Sequence, residues 1–453
     1  MLALPTYLRE LKMAERFDVA IVGAGPGASM AAYILAKGGL DVIVFERGDY
    51  PGSKAMFGGV LYTTVLSSFF PDFLEQNCVE RHVVEKRFSM LSKDDELALS
   101  FKFLGFDPPY YNHSFTALRA VFDRYLAKKA EDAGAVLVTQ TVVDEVLMRE
   151  GCVTGVRVRR EGGDVEANVV IAADGANSLI AQSAGLRGEL PLSVILGVKE
   201  IVSLPADVIQ DRFALEGDEG AAYEYIGGAA VRGSVGAGFL YTNRDTLSVG
   251  IGIPLASLKQ MGAQPDELLN EFKMHPAVRR MLRGTKPEEY SAHLIPEMTP
   301  QDLPYLVSDG ILVVGGAAGV VNANPLFHEG TNMAMASGVL AAETILEAHK
   351  AGDYSANALK PYIARMRDSF VWQDYERYQS LTRLTETHPQ FFNKYPYEFA
   401  AMARKLFSVE PAEGAMQVPK RKLELAVVDH VLAELGLMSF GMDLLDAAKA
   451  AVL

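Results

Sequence analysis

Three small residues near the N-terminus have the spacing of a diphosphate-binding turn. Gly23 and Gly25 fit the first two positions of the pattern G-x-G-x-x-G/A, in which the first glycine allows a tight turn and the second lets the backbone approach a diphosphate. Ala28, preceded by Gly27, fits the third position, which allows close helix–strand packing. We predict that a diphosphate rests on the N-terminus of the following helix, because unpaired N–H groups and the helix dipole favour negative charge there.

An acidic residue follows this turn at the distance where the pattern recognises a ribose. Glu46 is expected to accept hydrogen bonds from the ribose diol, which argues against a 2′-phosphate. The apolar run at residues 19–22, the small-residue stretch after it and the second apolar run before Glu46 predict a strand, a helix and a strand. From this segment alone the cofactor is either NAD or FAD.

The elements that must position these residues alternate along the chain. The patterns predict a helix over residues 116–134, a β meander over 136–158, an apolar strand over 169–173, strands over 188–257, a helix from 265, a strand–glycine loop–helix unit over 311–350 and helices beyond 354. The predicted fold class is therefore α/β, with a Rossmann-type domain, an interleaved β-rich domain and a helical C-terminal region.

The composition excludes some classes of partner and indicates the redox state of the compartment. The net charge of −14 over 453 residues argues against nucleic acid as a partner. Cys78 and Cys152 are too few for an iron–sulfur cluster or a structural zinc site, so we expect no metal and a reducing compartment. Residues 1–16 lack the apolar core of a secretory signal, and no apolar run is long enough for a transmembrane helix. We expect a soluble or peripheral protein.

Three distant segments end a predicted strand with small residues. They are residues 23–28, residues 174–176 and residues 315–319. A single dinucleotide turn accounts for only one of them. FAD is long enough to be held by all three, so the sequence favours FAD over NAD.

These motifs resemble those of flavoproteins with a glutathione-reductase-like FAD fold. Members of that group combine the first βαβ unit with an Arg-x-x-x-Asp helix, an ADGANS strand end and a GDAAG segment. This chain has Arg119 and Asp123, then ADGANS at residues 173–178 and GGAAG at residues 315–319. The resemblance implies that Arg119 reaches the FAD diphosphate; the alternative is a helical arginine that only pairs with Asp123 at i+4.

A narrower resemblance is to electron-transfer-flavoprotein:quinone oxidoreductases, specifically the bacterial FixC branch, which is related to geranylgeranyl reductases. It is carried by residues 46–62, 236–251 and 324–355, and it extends roughly over residues 17–411. It implies an FAD enzyme that takes electrons from the alpha and beta subunits of an electron-transfer flavoprotein and gives them to menaquinone or ubiquinone. It also implies a cytoplasmic protein, peripheral on the inner face of the cell membrane. Whether the partner takes part in electron bifurcation is left open.

Together the motifs and the resemblance give candidate site residues and domains. The predicted FAD-binding residues are Gly23, Gly25, Gly27, Ala28, Glu46, Arg47, Lys54, Gly58, Gly59, Arg119, Val143, Asp174, Gly175, Gly315, Gly316, Gly330, Thr331 and Asn332. The predicted domains are an FAD-binding domain (15–75, 116–187 and 288–350), a quinone or substrate domain (76–115 and 188–287) and a helical region for partner docking (351–453).

Two departures from the family pattern matter. Many relatives place an aspartate against the ribityl chain where this chain has Gly316. The mitochondrial enzymes carry a four-cysteine iron–sulfur site near the C-terminus, whereas residues 351–453 contain no cysteine. The resemblance therefore implies that a [4Fe-4S] cluster is present only on a separate, ferredoxin-like subunit of the FixX type.

The helix that begins near Gly330 is the strongest indication of mechanism. Its positive end, aimed at the flavin C2=O and N1, would stabilise the negative charge that builds there on reduction. The alternative is a buried, glycine-rich packing contact without a flavin role. His328 just before it is a candidate proton shuttle, because histidine titrates near neutrality; equally, it makes only a local hydrogen bond.

The quinone and membrane sites are predicted from apolar segments. The resemblance implies that residues 236–241 bind the quinone head group, with Gly236, Gly238 and Tyr241 as contacts; the alternative is an edge strand with a β-bulge. Residues 101–111 are a candidate membrane wedge or else strand core beside the flavin, and the basic residues 420–422 could meet anionic head groups. Residues 423–453 suit either the core or a docking face.

Three other functions remain open at this point. A geranylgeranyl reductase shares the fold and reduces isolated C=C bonds. A non-catalytic assembly subunit without flavin is suggested by Gly316. An aromatic hydroxylase is compatible with the ADGANS motif, although nothing else in the sequence points to it.

Overall fold

Two large β-sheets line a shared cavity in the computed structural model, which describes residues 16–55, 58–103, 112–188, 194–296, 303–323, 328–409, 411 and 417–452. The strands are β1 Arg16–Val22, β2 Val42–Phe45, β3 Gly58–Tyr62, β4 His82–Leu91, β5 Glu96–Lys102, β6 Ser114–Leu118, β7 Val136–Val138, β8 Val143–Arg149, β9 Cys152–Val158, β10 Asp164–Ala172, β11 Ile195–Ser203, β12 Glu219–Ile226, β13 Ala237–Thr242, β14 Thr246–Pro254, β15 Lys286–Ile295, β16 Val307–Ser308, β17 Ile311–Val313, β18 Asn322–Ala323 and β19 His328–Glu329.

The helices surround these sheets and form the C-terminal region. They are α1 Pro26–Lys37, α2 Thr64–Phe69, α3 Arg119–Asp132, α4 Leu179–Ser183, α5 Ala206–Phe213, α6 Leu255–Met261, α7 Pro265–Met274, α8 Pro276–Met281, α9 Thr331–Ala351, α10 Ala356–Leu359, α11 Pro361–Asp368, α12 Phe370–Thr387, α13 Gln390–Asn393, α14 Tyr395–Phe407, α15 Lys420–His430 and α16 Leu437–Val452.

The first sheet brings the three predicted strand ends together. Its order is β16-β17-β10-β1-β2-β7, and β17, β10, β1, β2 and β7 run parallel. Val22 at the end of β1 lies opposite Ala172 at the end of β10, which lies opposite Val313 at the end of β17. Because parallel strands share one carboxyl edge, the three small-residue motifs meet at the same edge, where α/β sheets bind ligands.

Helices α1 and α9 make an unusually close contact on this sheet. A Cβ atom on Gly338 of α9 would lie 2.1 Å from the carbonyl oxygen of Gly27, and one on Gly27 would lie 2.8 Å from the carbonyl oxygen of Ala334. The Ser337 hydroxyl accepts a hydrogen bond from the Gly315 N–H at 2.9 Å. The small residues of α9 therefore fix the first glycine turn relative to the third.

The second sheet forms the opposite wall of the cavity. Its order is β15-β11-β14-β13-β12-β4-β6-β3, with β5 added to β4. Helices α5, α7 and α8 cover one face through side chains such as Ile209, Phe272 and Val278, and the cavity lies on the other face. Strand β13 pairs with β12 and β14, so the alternative of an edge strand at residues 236–241 is wrong.

Several predicted elements differ in their bounds. The predicted helix over residues 116–134 begins at Arg119, because Ser114–Leu118 pairs with β3 as a strand. The helix Ala206–Phe213 falls in a segment that was predicted as strands; its apolar residues Ile209 and Phe213 recur at i and i+4. Strands β3 and β15 belong to the second sheet although their residues were assigned largely to the FAD domain, and the domain division remains a prediction.

Most of the described residues after 354 are helical, as predicted. Helix α12 packs on α16, and α14 packs on α15 and against the β4–β5 hairpin. The Tyr395 hydroxyl donates a hydrogen bond to the Asp443 carboxylate between α14 and α16. Within the described ranges no single helix is long and apolar enough to cross a membrane; Lys420–Leu435 and Met438–Ala450 pass that test only as a pair bent by 78°.

The α1–α9 contact predicts a position-specific effect of adding one methyl group. Gly338→Ala should lower the free energy of unfolding by ~1–3 kcal/mol, because the new Cβ overlaps a backbone carbonyl that cannot move freely. Gly441→Ala is the matched control in α16, where a Cβ meets nothing within 4 Å. It should stabilise the helix by up to ~1 kcal/mol. Thermal unfolding of the purified proteins measures both, and equal effects would contradict the contact.

Candidate functional site

The cavity between the sheets has a volume of about 1850 Å³. It contains most of the predicted site residues: Gly23, Gly25, Gly27, Ala28, Glu46, Arg47, Lys54, Gly59, Arg119, Val143, Asp174, Gly175, Gly236, Tyr241, Gly315, Gly316, His328, Gly330 and Thr331. Asn332 and Gly238 do not line it. Residues from three distant parts of the chain thus share one continuous space.

The first glycine turn is shaped to leave the cavity open. Gly23 has φ +97°, and a Cβ there would lie 2.4 Å from the carbonyl oxygen of Ala173, so only glycine fits. A Cβ on Gly25 would meet only Arg119, with Nη2 at 3.6 Å. Gly25 is therefore not required by packing of the protein itself, and its bare backbone leaves room for a diphosphate beside the N-terminus of α1.

The Glu46 carboxylate is held against this turn by two backbone groups. Its Oε2 accepts a hydrogen bond from the Ala24 N–H at 3.0 Å, and its Oε1 accepts one from the Gly48 N–H at 2.7 Å. A carboxylate has about four lone-pair sites, so acceptor capacity remains for a ribose diol. The side chain is 9% exposed and lines the cavity, which suits the predicted role.

The aspartate of the ADGANS motif, Asp174, makes its hydrogen bonds to other residues of the protein. Asp174 accepts hydrogen bonds from the Ser178 hydroxyl at 2.7 Å and from the Ile180 N–H at 3.1 Å, next to the start of α4. Burial raises the pKa of Asp174 above its ordinary value. A direct FAD contact by this side chain remains a prediction, while Gly175, with φ +84°, lines the cavity beside it.

The third motif leaves open space at Gly316, the position where the family pattern led us to expect an aspartate. A Cβ on Gly316 would lie 3.6 Å from the backbone N of Ala176 and from Cα of Gly175, which is ordinary contact. Packing therefore does not demand glycine at this position. The open space beside Gly316 faces Gly175 and Ala176 at the end of β10. With no side chain at residue 316, only the backbone of the loop can contact a ligand there.

The N-terminus of α9 reaches the same cavity. Gly330 caps the helix and Thr331 begins it, and both line the cavity. The Asn332 side chain instead accepts a hydrogen bond from the Val65 N–H at 3.1 Å and donates one to Glu329 at 2.8 Å. Asn332 thus ties α2 to α9, and a cofactor contact by it remains a prediction. Burial raises the pKa of Glu329.

Several basic side chains line the cavity. Arg119 donates to both carboxylate oxygens of Asp123, at 2.5 and 2.6 Å, so the predicted i+4 pair is present while Arg119 also lines the cavity. Lys199 and His293, on neighbouring strands β11 and β15, line the cavity as well. Burial lowers the pKa of His293 to about 4, with further lowering by Arg119 and Arg47. Sequence reasoning missed Lys199 and His293; the only signal was a charged residue inside the apolar run GVKEIV.

An acidic and aromatic group lies farther along the same face of the second sheet. The Tyr241 hydroxyl donates a hydrogen bond to the Glu224 carboxylate, and Phe239 stacks on Tyr241 with ring centroids 4.9 Å apart. His328 Nδ1 lies 3.5 Å from Glu224 Oε1. The other oxygen, Glu224 Oε2, is buried and has no hydrogen-bond partner within the described residues. Sequence reasoning missed Glu224, which carries no motif.

The two predicted quinone glycines differ in whether they line the cavity. A Cβ on Gly238 would lie 2.6 Å from the ring of Phe272, so this glycine packs on the covered face, away from the cavity. Gly236 lines the cavity with φ +148°, and a Cβ there would lie 2.6 Å from the Gly252 carbonyl oxygen. Of the predicted quinone contacts, only Gly236 and Tyr241 line the cavity.

Known proteins define the class of this site. An FAD binding domain family matches residues 16–209. The protein FixC of Bradyrhizobium diazoefficiens is 39% identical over 91% of this chain and 94% of its own length. A probable electron transfer flavoprotein-quinone oxidoreductase of Escherichia coli, YdiS, is 36% identical over 96% of this chain and 99% of its own length.

Solved structures show the same fold at low identity. A geranylgeranyl bacteriochlorophyll reductase-like protein of Thermoplasma acidophilum has a TM-score of 0.66 at 21% identity and covers 93% of this chain and 97% of its own. The flavin-dependent halogenase CmlS has a TM-score of 0.62 at 21% identity, covering 92% of this chain and 77% of its own. These matches support the predicted FAD-binding fold and carry no argument about substrate.

These matches and the cavity define an FAD-dependent flavoprotein. The chain belongs to the family of FixC and the electron-transfer-flavoprotein:quinone oxidoreductases. It is an FAD-dependent oxidoreductase that acts in electron transfer. The residues present fit FAD, because the open backbone at Gly25 and the Glu46 carboxylate lie at one end of a cavity that extends to the aromatic group. Within the described ranges, no cluster of three or more His, Cys, Asp and Glu is placed to hold a metal.

The open space above Gly25 predicts that a side chain there blocks the cofactor and spares the fold. Gly25→Val should leave the thermal midpoint of the apoprotein nearly unchanged, since its only neighbour is the end of a flexible arginine. The affinity for FAD should fall by about tenfold or more, or ~1.4 kcal/mol. Flavin fluorescence titration measures the affinity. Unchanged FAD binding would show that the diphosphate lies elsewhere.

Proposed function

We propose that this protein takes electrons from an electron-transfer flavoprotein and passes them to a membrane quinone. The observation that carries the proposal is the cleft formed by Glu224, Tyr241 and His328 at the end of an FAD cavity, and it is supported by a relative named as a probable electron transfer flavoprotein-quinone oxidoreductase. Bound FAD supplies the redox chemistry. The side chains of the cleft supply what a quinone also needs, which is protons and an apolar wall.

Quinone reduction consumes two electrons and two protons for each quinol formed. We infer that Glu224 delivers a proton to a quinone oxygen, because its buried Oε2 has no partner within the described part of the chain and an unpaired carboxylate oxygen is costly to bury. The His328 side chain is 37% exposed and its Nδ1 lies 3.5 Å from Glu224 Oε1, so we propose that it resupplies the proton. Tyr241 fixes the carboxylate by its hydrogen bond, and the stacked Phe239 lines the apolar wall.

The N-terminus of α9 is proposed to set the electrostatics of the flavin ring. Gly330 and Thr331 line the cavity, and the first N–H groups of a helix point outward without intrahelical partners. The helix dipole there favours negative charge. We propose that the N-terminus of α9 faces the flavin C2=O and N1. We also propose that backbone N–H groups bind the phosphate at Gly316, because this residue has no side chain.

The iron–sulfur cluster is proposed to lie on a partner. Residues 351–453 contain no cysteine, so a [4Fe-4S] cluster needs a ferredoxin-like subunit of the FixX type. Helices α15 and α16 expose apolar side chains, including Leu425, Val428, Met438 and Met442, at 52–83%. We propose that this face receives the ferredoxin-like subunit.

The membrane contact is proposed to begin at the edge strand β5. Leu97, Leu99 and Phe101 alternate on one face and are 43%, 73% and 60% exposed. The exposure of Phe101 argues against the alternative of strand core. Residues 104–111 of the predicted wedge lie outside the described residues. The proposal is a peripheral protein on the cytoplasmic face of the cell membrane, where the quinone is available.

The electron-transfer proposal predicts that Glu224→Gln slows electron transfer to a quinone but not to an acceptor that takes up no proton. With the flavin reduced anaerobically, reoxidation by a soluble menaquinone or ubiquinone analogue should slow by roughly 10²-fold, the lower end of what a positioned proton donor contributes. Reoxidation by ferricenium, which takes an electron without a proton, should be unchanged. Stopped-flow absorbance measures both rates.

A matched control is Glu219→Gln, at the start of the same strand. The Glu219 carboxylate accepts a hydrogen bond from the Glu216 N–H at 2.9 Å and does not line the cavity, so both rates should stay as in the parent protein. Equal slowing with both acceptors would reject Glu224 as the proton donor. A flavin that no quinone reoxidises, but that reduces an isolated prenyl double bond, would support the reductase alternative instead.

The membrane proposal predicts a loss of vesicle binding when the β5 face is charged. Leu99→Glu combined with Phe101→Glu should reduce co-sedimentation with vesicles of bacterial lipid by about tenfold or more, because two apolar side chains no longer enter the interface. Met274→Glu is the control, since Met274 is 63% exposed on α7. Equal vesicle binding by the double variant and the Met274→Glu control would show that β5 does not contact the membrane.

A further inference from the structure

Lys199 is a buried lysine with little compensation from the protein. It is 2% exposed and lies on β11, between β15 and β14 of the second sheet. Within the described ranges its ammonium has one carboxylate within 4 Å, Glu289 Oε1 at 3.9 Å, and that side chain is 51% exposed. An ammonium group is almost never buried unless it is paired and hydrogen-bonded, because the loss of hydration is costly. This arrangement indicates that a ligand completes the site.

The surroundings of Lys199 are positive and face the cavity. Lys199 lines the cavity, as do the guanidinium-bearing residues Arg119 on α3 and Arg47 after β2. Burial lowers the pKa of Lys199 to about 8, Glu289 raises it, and Arg119 lowers it further. The Arg119 charge is therefore close enough to act on Lys199. Among the described carboxylates that line the cavity, Asp123 pairs with Arg119, and Glu46 and Asp174 accept hydrogen bonds from other protein groups, so no ion pair at 4 Å or less joins any of them to Lys199.

The position of Arg119 identifies which part of a ligand this group meets. Arg119 Nη2 would lie 3.6 Å from a Cβ on Gly25, in the turn that accepts the diphosphate. Lys199 pairs with Gly250 on β14, Gly250 pairs with Phe239 on β13, and Phe239 pairs with Glu224 on β12. Glu224 is therefore three strands from Lys199, a distance of ~14 Å at about 4.8 Å per strand. The cavity therefore has a positive end at the glycine turn and an acidic, aromatic end at the cleft.

We propose that Lys199 binds the diphosphate of FAD from the second sheet, opposite the glycine turn, with Arg119 and Arg47 completing the anion site. The first sheet contributes backbone N–H groups and the second contributes the ammonium. Bound diphosphate supplies the negative charge that the buried lysine lacks. In this arrangement the cofactor joins the two sheets. The proposal depends on the FAD site and not on the electron acceptor.

The test compares Lys199→Met with Lys199→Arg and with Lys273→Met in the full-length protein. Lys273 is the matched control, because it pairs with Glu200, the neighbour of Lys199, and does not line the cavity. We expect Lys199→Met to release FAD about 10- to 100-fold faster, as for the loss of a hydrogen bond to a charged group, with a weaker dependence on salt. Lys199→Arg should retain most of the affinity, and Lys273→Met all of it.

Ligand fragments identify the part of FAD that Lys199 contacts. After flavin removal, Lys199→Met should bind ADP more weakly by the same factor and bind riboflavin as well as the parent protein does. Weakened riboflavin binding with normal ADP binding would place Lys199 at the flavin ring and overturn the proposal. Unchanged FAD release, or equal loss in Lys199→Met and Lys199→Arg, would also overturn it. None of these assays uses a quinone or an electron donor, so they stand or fall separately from the proposed function.

Stability against pH provides a second readout that a merely structural lysine would not give. The unfolded chain keeps Lys199 protonated up to its ordinary pKa, whereas the folded apoprotein releases the proton near pH 8. Stability of the apoprotein should therefore rise with pH from about 8 towards the ordinary pKa of lysine. Lys199→Met should be the more stable apoprotein below pH 8, and the difference should shrink above it. A variant less stable than its parent below pH 8 would show that Lys199 supports the fold instead.

Discussion

The close contact between α1 and α9 is the constraint on which the rest of the site depends. Gly27 and Gly338 bring two helix backbones together where a Cβ would overlap a carbonyl, and Ser337 accepts a hydrogen bond from Gly315. Because α1 begins at the first glycine turn and α9 follows the third, their contact sets the distance between two of the three strand ends. The small residues at Gly27 and Gly338 therefore determine how far apart the first and third glycine turns lie, in addition to allowing the two helices to pack.

A second constraint comes from the two faces of the second sheet. Alternate residues of β11, β12 and β13 point either into the core with Phe272 or into the cavity. The cavity-facing set includes Lys199 at one end and Glu224 at the other, with Phe239 in the same row. One sheet therefore carries a basic group at one end and an acidic, aromatic group at the other. In our proposal the first meets the diphosphate and the second meets the acceptor, which sets the direction of an extended cofactor.

Much of the cofactor site was predictable because its residues are local in sequence. The turn at Gly23 and Gly25, the acid Glu46 and the strand end at Gly175 belong to short motifs whose backbone conformations restrict the residue type. The meeting of the three strand ends was also predictable, because parallel strands share one edge. Lys199, His293 and Glu224 were not predictable, because their roles depend on the pairing of strands far apart in sequence, and none of them belongs to a recognisable motif.

The orientation of predicted residues was a further limit of the sequence. Gly238 belongs to the predicted quinone segment but faces Phe272, since neighbouring strand residues point to opposite faces. Asn332 lies at the predicted helix start, but its side chain holds α2. Arg119 satisfies both interpretations offered for it, since it pairs with Asp123 and lines the cavity. Such distinctions require coordinates.

The most direct measurement is an experimental structure of the full-length protein with FAD bound. The account predicts that the diphosphate lies between the N-terminus of α1 and Lys199 Nζ, and that the flavin ring lies near Phe239 and Tyr241 with its C2=O towards the start of α9. A structure in which the diphosphate contacts neither group, or in which the flavin ring points away from the Glu224 cleft, would contradict it.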